Sequence, residues 1–321
     1  MADSQYILEV NNLCQHFSSG RGKKKLTVKA VDDVTFGVRP AETFGLVGES
    51  GCGKTTTGRT IIRLYDPTGG EVLFNGRDIA GKMNSDLRKY LTDNIAMIFQ
   101  DPIESLNPKM TIEEIIGEGL TVRGMKDKAE IRKLVVEMLR KVGLVEEHAT
   151  RYPHEFSGGQ RQRIGIARAI IVKPKLIIAD EPVSALDVSV QAQVINLMND
   201  LKEEMGLTIL FIAHNLSVVK YFSDRIGVMY FGHLVEVANG EDLYKNPLHP
   251  YTRALLSAIP EPNPITERQR VRVDYVPERD HDYSNEKPSM VEVEPEHYVY
   301  CSPSVKIERT ISPKARVTIA R

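Results

Sequence analysis

The run Gly48-Glu49-Ser50-Gly51-Cys52-Gly53-Lys54-Thr55 matches the loop pattern that cradles a polyphosphate. Its glycines let successive backbone N–H groups turn inward at a helix N-terminus, Lys54 adds charge on the outer phosphate oxygens, and the Thr55 hydroxyl can ligate Mg²⁺. Thr56 is counted with them among the nucleotide-binding residues. The segment Leu176-Ile177-Ile178-Ala179-Asp180-Glu181 ends an apolar run in two carboxylates, where ligand sites of parallel sheets lie. Asp180 suits a Mg²⁺ ion held through water or Thr55, and Glu181 suits orienting and deprotonating an attacking water. A third run, Phe156-Ser157-Gly158-Gly159-Gln160, sets a Ser N-cap and two glycines before a basic helix, a second anion site. One nucleotide has no use for two such sites on one chain, unless the second serves a nucleotide held by another copy. Cys52 has no evident catalytic task and would make the loop thiol-sensitive if its sulfur were accessible.

These residues need elements to hold them in place. Thr43–Val47, 175–180 and 207–214 are short apolar runs ending near Gly, Asp or His, and they read as buried strands of a parallel sheet. The first leads into the glycine loop and a helix expected to continue to Tyr65. Looser alternation over Leu26–Val38 and 71–74, before the turn Asn75-Gly76, indicates an antiparallel, β-rich N-terminal section. Ile131, Leu134, Val135, Met138, Leu139 and Val142 recur at helical spacing with Gly143 as the stop. With 111–120 before them and 160–171 after, they predict a separate helical subdomain inserted between two core strands. Beyond Pro260, the residues Pro262, Pro264, Pro277, Pro288, Pro295 and Pro303 punctuate short alternating pieces such as Val271-Arg272-Val273 and Val291-Glu292-Val293. That texture predicts a small β-rich appendage. The domain reading is a nucleotide-binding core over 1–102 and 164–240, a helical subdomain over 103–163 and a C-terminal extension over 241–321.

Composition narrows the classes of function. A chain of 321 residues and 36.0 kDa, 41% hydrophobic and 26% charged, is an ordinary globular protein with room for about two domains. With 42 basic and 43 acidic residues it has no global field to draw in nucleic acid or anionic lipid, so any anion is bound locally. Cys14, Cys52 and Cys301 fit neither a disulfide framework nor a metal knuckle, and Cys14 and Cys301 read as small apolar residues. Apolar runs fall short of the ~20 residues of a membrane helix. Residues 1–10, with Asp3 and Glu9, lack a basic-then-apolar signal, which makes the cytoplasm the expected compartment. No internal repeat is visible.

Taken together, these runs resemble the ATP-binding-cassette ATPases. The family's signature is usually LSGGQ; here Phe156 replaces the leading Leu and leaves Ser157, Gly158, Gly159 and Gln160 intact. Gln100, in Ile98-Phe99-Gln100-Asp101-Pro102, matches the family's glutamine loop, and Ser184-Ala185-Leu186-Asp187 matches the loop through which protomers communicate. His214 matches the switch histidine on the γ-phosphate, and Phe17 lies where the family places an aromatic that stacks on adenine. The runs 99–108, 152–155 and 248–256, the last reading Leu248-His249-Pro250-Tyr251-Thr252-Arg253-Ala254-Leu255-Leu256, resemble the oligopeptide, dipeptide and nickel importer branch. Arg63-Leu64-Tyr65-Asp66-Pro67-Thr68-Gly69-Gly70 looks like one of the two paralogous ATPases that such importers pair.

The resemblance implies an α/β fold: a P-loop NTPase (RecA-like) core with an antiparallel β subdomain, the inserted helical subdomain and the appendage. It implies ATP and Mg²⁺ as cofactors, with Glu181, His214 and Gln100 in catalysis and Thr55, Gln100 and Asp180 around the metal. Nucleotide-binding residues would be Phe17, residues 48–56, Ser157, Gly158, Gly159, Gln160 and Asp187. Many members of this branch carry a C-terminal cysteine cluster, but only Cys301 stands there, so no iron–sulfur cluster is expected. Implied partners are two transmembrane permease subunits, a second cassette, expected to be a paralogue, and an extracytoplasmic substrate-binding protein, with no nucleic acid and a place on the cytoplasmic face of the membrane. Peptides are the expected solute, with nickel or another small solute as the alternative. A DNA-acting clamp with the same motifs needs a long coiled coil, whereas only about 100 residues without sustained heptads separate Lys54 from Ser157. A small-molecule kinase explains neither the signature nor His214.

Overall fold

The computed structural model describes residues 5–20, 26–260, 271–277 and 287–302. Pro262, Pro264 and Pro303 lie outside the described residues. Strands β1 (Leu8–Ser19) and β2 (Leu26–Val38) pair antiparallel, and β1 also pairs antiparallel with β4 (Gly69–Phe74), which carries the short β5 (Arg77–Asp78). Their sheet has the order β2-β1-β4-β5. The larger sheet adds β3 (Thr43–Val47), β6 (Ile95–Ile98), β7 (Leu176–Asp180), β8 (Thr208–Ala213), β9 (Arg225–Tyr230), β10 (His233–Asn239), β11 (Ser289–Glu294) and β12 (His297–Cys301), in the order β11-β12-β10-β9-β3-β8-β7-β6. From β9 to β6 the pairing is parallel.

The unbroken apolar runs follow from burial on both faces. On β7, Leu176 and Ile178 enter the core shared with the antiparallel sheet, while Ile177 and Ala179 enter the core on the helical side. On β8, Leu210 and Ile212 alternate in the same way with Ile209 and Phe211.

Helix α1 (Lys54–Ile61) leaves the glycine loop but stops short of Tyr65. Arg63 adopts a left-handed conformation, φ 64°, and its guanidinium binds the carbonyls of Ile79 and Gly81, which turns the chain away. Next come α2 (Ser85–Asn94), the single turn α3 (Pro102–Ser105), α4 (Ile112–Val122), α5 (Lys128–Lys141) and α6 (Gly158–Ile170). Helix α2 packs Leu87 and Leu91 into the core shared with the antiparallel sheet, and the helical block built by α3 to α6 has no core of its own. Ile112, Ile116, Val135, Leu139 and Phe156 join one continuous cluster with Ile177 and Phe211 of the sheet. Arginines of α6 staple the block: Arg163 donates to the Val142 carbonyl at 2.9 Å and Arg168 to that of Ser105 at 2.6 Å.

Helices α7 (Val188–Met205), α8 (Leu216–Phe222), α9 (Gly240–Lys245) and α10 (Pro250–Ser257) complete the described α-helices. The appendage expected after Pro260 is continuous with the main sheet, because the β11–β12 hairpin pairs antiparallel with β10. Val291-Glu292-Val293 lies in β11 as expected, but Val271-Arg272-Val273 is not a strand; Val271 is exposed and the Val273 N–H donates to Ser257 Oγ. Cys301 is buried with Leu248 and Val299. Cys14 departs from its apolar reading. It sits among register shifts of β1, half-buried, with Sγ accepting the Asp33 N–H at 3.4 Å and lying beside Asp32 and His16. Among the described residues no helix is long and apolar enough to cross a membrane.

Candidate functional site

The C-terminal ends of β3, β6, β7 and β8 open on one cleft of about 770 Å³. Ser50, Gly51, Gly53, Lys54, Thr55 and Thr56 line it on the loop side, and Gln100, Glu181 and His214 line the other. The loop follows buried β3, and two of its glycines have no substitute. At Gly48 (φ 152°) a Cβ would lie 2.2 Å from the Met229 carbonyl oxygen, and at Gly53 (φ 111°) 2.2 Å from that of Ala30. Lys54 is buried, its Nζ donating to the carbonyls of Gly48 at 2.8 Å and Glu49 at 2.9 Å. Cys52 packs beneath the loop, 5% exposed, with burial pushing its thiol pKa up, so its sulfur is not the accessible group that thiol sensitivity would require.

Beneath the cleft wall, the Thr55 hydroxyl donates to Asp180 Oδ1 at 2.7 Å. Asp180 has no exposed surface, and burial raises its pKa against the opposing pull of the Thr55 hydrogen bond and Arg59. Its Oδ2 is buried without a hydrogen bond; the nearest cation, Arg59, stands 3.9 Å away. A hydroxyl and a carboxylate with free lone pairs are hard oxygen donors that fit Mg²⁺, and the amide oxygen of Gln100, on the lining of the same cleft as Thr55, is a third of that kind.

Glu181 follows β7 with φ 45°, a conformation that persists in a side-chain-bearing residue only when its surroundings fix it. Its N–H donates to the Ile212 carbonyl at 2.9 Å and its carbonyl accepts the Ser184 hydroxyl at 3.0 Å. Its Oε2 stands 2.8 Å from His214 Nδ1 and 3.4 Å from Gln100 Nε2. Three residues from three strand ends therefore meet on one carboxylate.

Other expected residues lie outside this cleft. Ser157 caps α6, its hydroxyl accepting the Gln160 N–H at 3.3 Å while Gln160 Oε1 accepts the Ser157 N–H at 3.0 Å. A Cβ on Gly159 would meet Val190 at 2.5 Å, so the signature loop packs on the start of α7, which Asp187 caps through the Val190 N–H. Phe17 does not line the cleft; its ring lies edge-on to Tyr65 at 5.3 Å and is 41% exposed. Ala30, Asp101 and Glu104 line the cleft without having been singled out from the sequence. Asp101 and Glu104 carried a signal, since they flank Pro102 at a helix start directly after Gln100, but Ala30 carried none.

Comparison with known proteins bears on this geometry. Residues 31–184 match the family model described as ABC transporter, and residues 235–283 match that of the oligopeptide/dipeptide transporter C-terminal region. The oligopeptide transport ATP-binding protein OppF of Bacillus subtilis (strain 168) is 58% identical over 300 residues, covering 93% of this chain and 97% of that protein. The dipeptide transport ATP-binding protein DppF of Lactococcus lactis subsp. cremoris (strain MG1363) is 53% identical over 303 residues, 94% of this chain and 95% of its own. Among solved structures, the cassette MJ0796 in a dimeric post-hydrolysis state with ADP and Pi superposes with a TM-score of 0.65 at 30% identity, over 72% of this chain and 98% of that one. The cbiO1 protein of Clostridium perfringens, part of the ABC transporter complex cbiONQ, gives 0.66 at 26% identity, over 76% and 92%.

Proposed function

We propose a working cycle for this chain, which belongs to the ABC transporter family and, within it, to the ATP-binding proteins of oligopeptide and dipeptide transport. It is the ATPase of a peptide importer. The observation that carries the cycle is the meeting of Gln100, Glu181 and His214 across one cleft from Lys54 and the bonded pair Thr55 and Asp180.

ATP phosphates seat on the backbone N–H groups of the loop, and Lys54 Nζ exchanges the loop carbonyls for phosphate oxygens. Thr55, Asp180 and Gln100 would hold Mg²⁺, which when bound would offset negative charge on the phosphates. Glu181 accepts the proton of the attacking water, and His214 and Gln100 hold its carboxylate in line. Ser157, Gly158 and Gly159 lie off their own cleft and complete that of a second cassette facing head to tail, so that ATP joins the two and hydrolysis releases them. Phe17 stacks on adenine, and Asp187 faces the partner. The face around 103–119, where Ile103 is 63% exposed, receives a helix of one of two membrane permease subunits. An extracytoplasmic binding protein delivers the peptide, and the chain works at the cytoplasmic face of the membrane beside a paralogous cassette.

Glu181→Gln tests the reading. The variant is expected to bind MgATP while turnover falls roughly 10²- to 10⁴-fold, the range for loss of a general base; near-normal turnover rejects the role of Glu181. Recovered with MgATP from solubilised membranes, it should bring a permease pair and a second cassette, whereas DNA or ribosomes without permease would overturn the transport assignment.

A further inference from the structure

The run 248–256 has a resemblance but no task in the cycle above. In the structure it forms the start of α10 and buries Tyr251 to 2% exposure, among the rings of Tyr230 and Tyr275 at centroid distances of 4.4 and 5.5 Å. The Tyr251 hydroxyl accepts the backbone N–H of Glu49, within the glycine loop, at 3.2 Å. Burial pushes its pKa far above the ordinary phenol value, so it stays a neutral hydroxyl.

Tyr251 is itself held by a line of buried bonds. His249 Nδ1 accepts the Tyr251 N–H at 3.1 Å. The carboxylate of Glu236, in β10 and without exposed surface, accepts the N–H groups of Leu248 at 2.7 Å and His249 at 3.0 Å. His297 of β12, 2% exposed, places its Nε2 2.7 Å from Glu236 Oε1. Bonds therefore run from the C-terminal hairpin through Glu236 and α10 to the loop. A buried carboxylate satisfied from two other segments fixes their relative placement, because breaking any contact strands a polar group.

We propose that Tyr251 is a positioning residue for nucleotide binding: its hydroxyl fixes the Glu49 peptide of the phosphate loop, and the buried His297–Glu236 pair sets Tyr251, so the C-terminal extension tunes ATP affinity. The proposal rests on reading 48–55 as the phosphate loop. A loop whose peptides are already oriented loses less freedom when phosphates arrive, so removing the tether weakens binding before it touches chemistry.

The test uses the full chain. Tyr251→Phe removes one oxygen and keeps the ring. Its dissociation constant and KM for MgATP are expected to rise about two- to tenfold, the span for one hydrogen bond, with kcat changed less than KM and the melting temperature reporting that the fold is intact. His297→Gln is expected to weaken binding in the wild-type background but to add little in Tyr251→Phe, because both act through one hydroxyl. Unchanged MgATP affinity in a folded Tyr251→Phe overturns the proposal, as do penalties that simply multiply in the double variant. Lys54→Ala separates the two readings. Full MgATP affinity in that variant sinks the phosphate loop itself, whereas lost binding there beside normal binding in Tyr251→Phe sinks only the tether.

Discussion

Asp180 is a fully buried carboxylate whose burial costs stability. Burial raises its pKa in the folded chain, so folding takes up protons at this group. Its contribution to stability is therefore fully present below the unfolded pKa and is lost as pH rises through the folded one. Asp180→Asn keeps an oxygen for the Thr55 hydroxyl and removes the buried charge. It is expected to stabilise the chain near pH 7 by about 1 kcal/mol, a gain that shrinks towards acid pH, while Mg²⁺-dependent hydrolysis is lost. Thermal melts of the two proteins from pH 4 to 8 check this, and a lower melting temperature for the variant at neutral pH contradicts it. The same tension appears at Glu181, where a backbone at φ 45° aims the carboxylate at His214 and Gln100.

Helix α6 joins the Ser157 loop, which the proposed cycle sets against a partner, to a core built for packing. Its first turn is closed by the reciprocal Ser157 and Gln160 bonds, and the residue before it, Phe156, is 4% exposed with its ring edge-on to His148 at 5.0 Å. The usual Leu of the family motif would fill most of that space. Phe156→Leu is thus expected to cost about 1 kcal/mol and leave hydrolysis near normal, and Phe156→Ala to cost about 3–5 kcal/mol through the cavity it opens. Urea unfolding of both variants reads the difference directly. Equal losses would mean that the ring does more than occupy volume.

At the level of the whole molecule, Ser157, Gly158 and Gly159 are absent from the lining of the cleft that Lys54 lines, so the proposed cycle needs a second copy. With balanced charge over the chain there is no general electrostatic attraction between copies, and in the proposed cycle the nucleotide supplies the contact. The Glu181→Gln variant with MgATP is expected to run as a dimer by light scattering. Adding Ser157→Arg should leave a monomer that still binds ATP, since Ser157 is absent from the lining of its own cleft. A monomer that loses ATP binding on this change would show that Ser157 serves its own nucleotide.

Much of this was legible in the residue order because the physics involved is short-range. Runs such as Leu176–Asp180 must be strands buried on both faces, glycines at 48 and 53 permit backbone that no Cβ allows, and Ser157 with Gln160 announces a helix start. The local grammar also misled at α1, where the helix pattern ran on to Tyr65 but carbonyls of Ile79 and Gly81 captured Arg63, and at Cys14, where distant Asp33 supplied a polar partner. No local pattern states which strand lies beside which. That β12 joins the edge of the main sheet and that Gln100 and His214 meet on the Glu181 carboxylate follow from strand order, and that Tyr251 reaches Glu49 follows from the docking of α10 on Glu236, because each contact joins segments whose own periodicities are satisfied equally well apart.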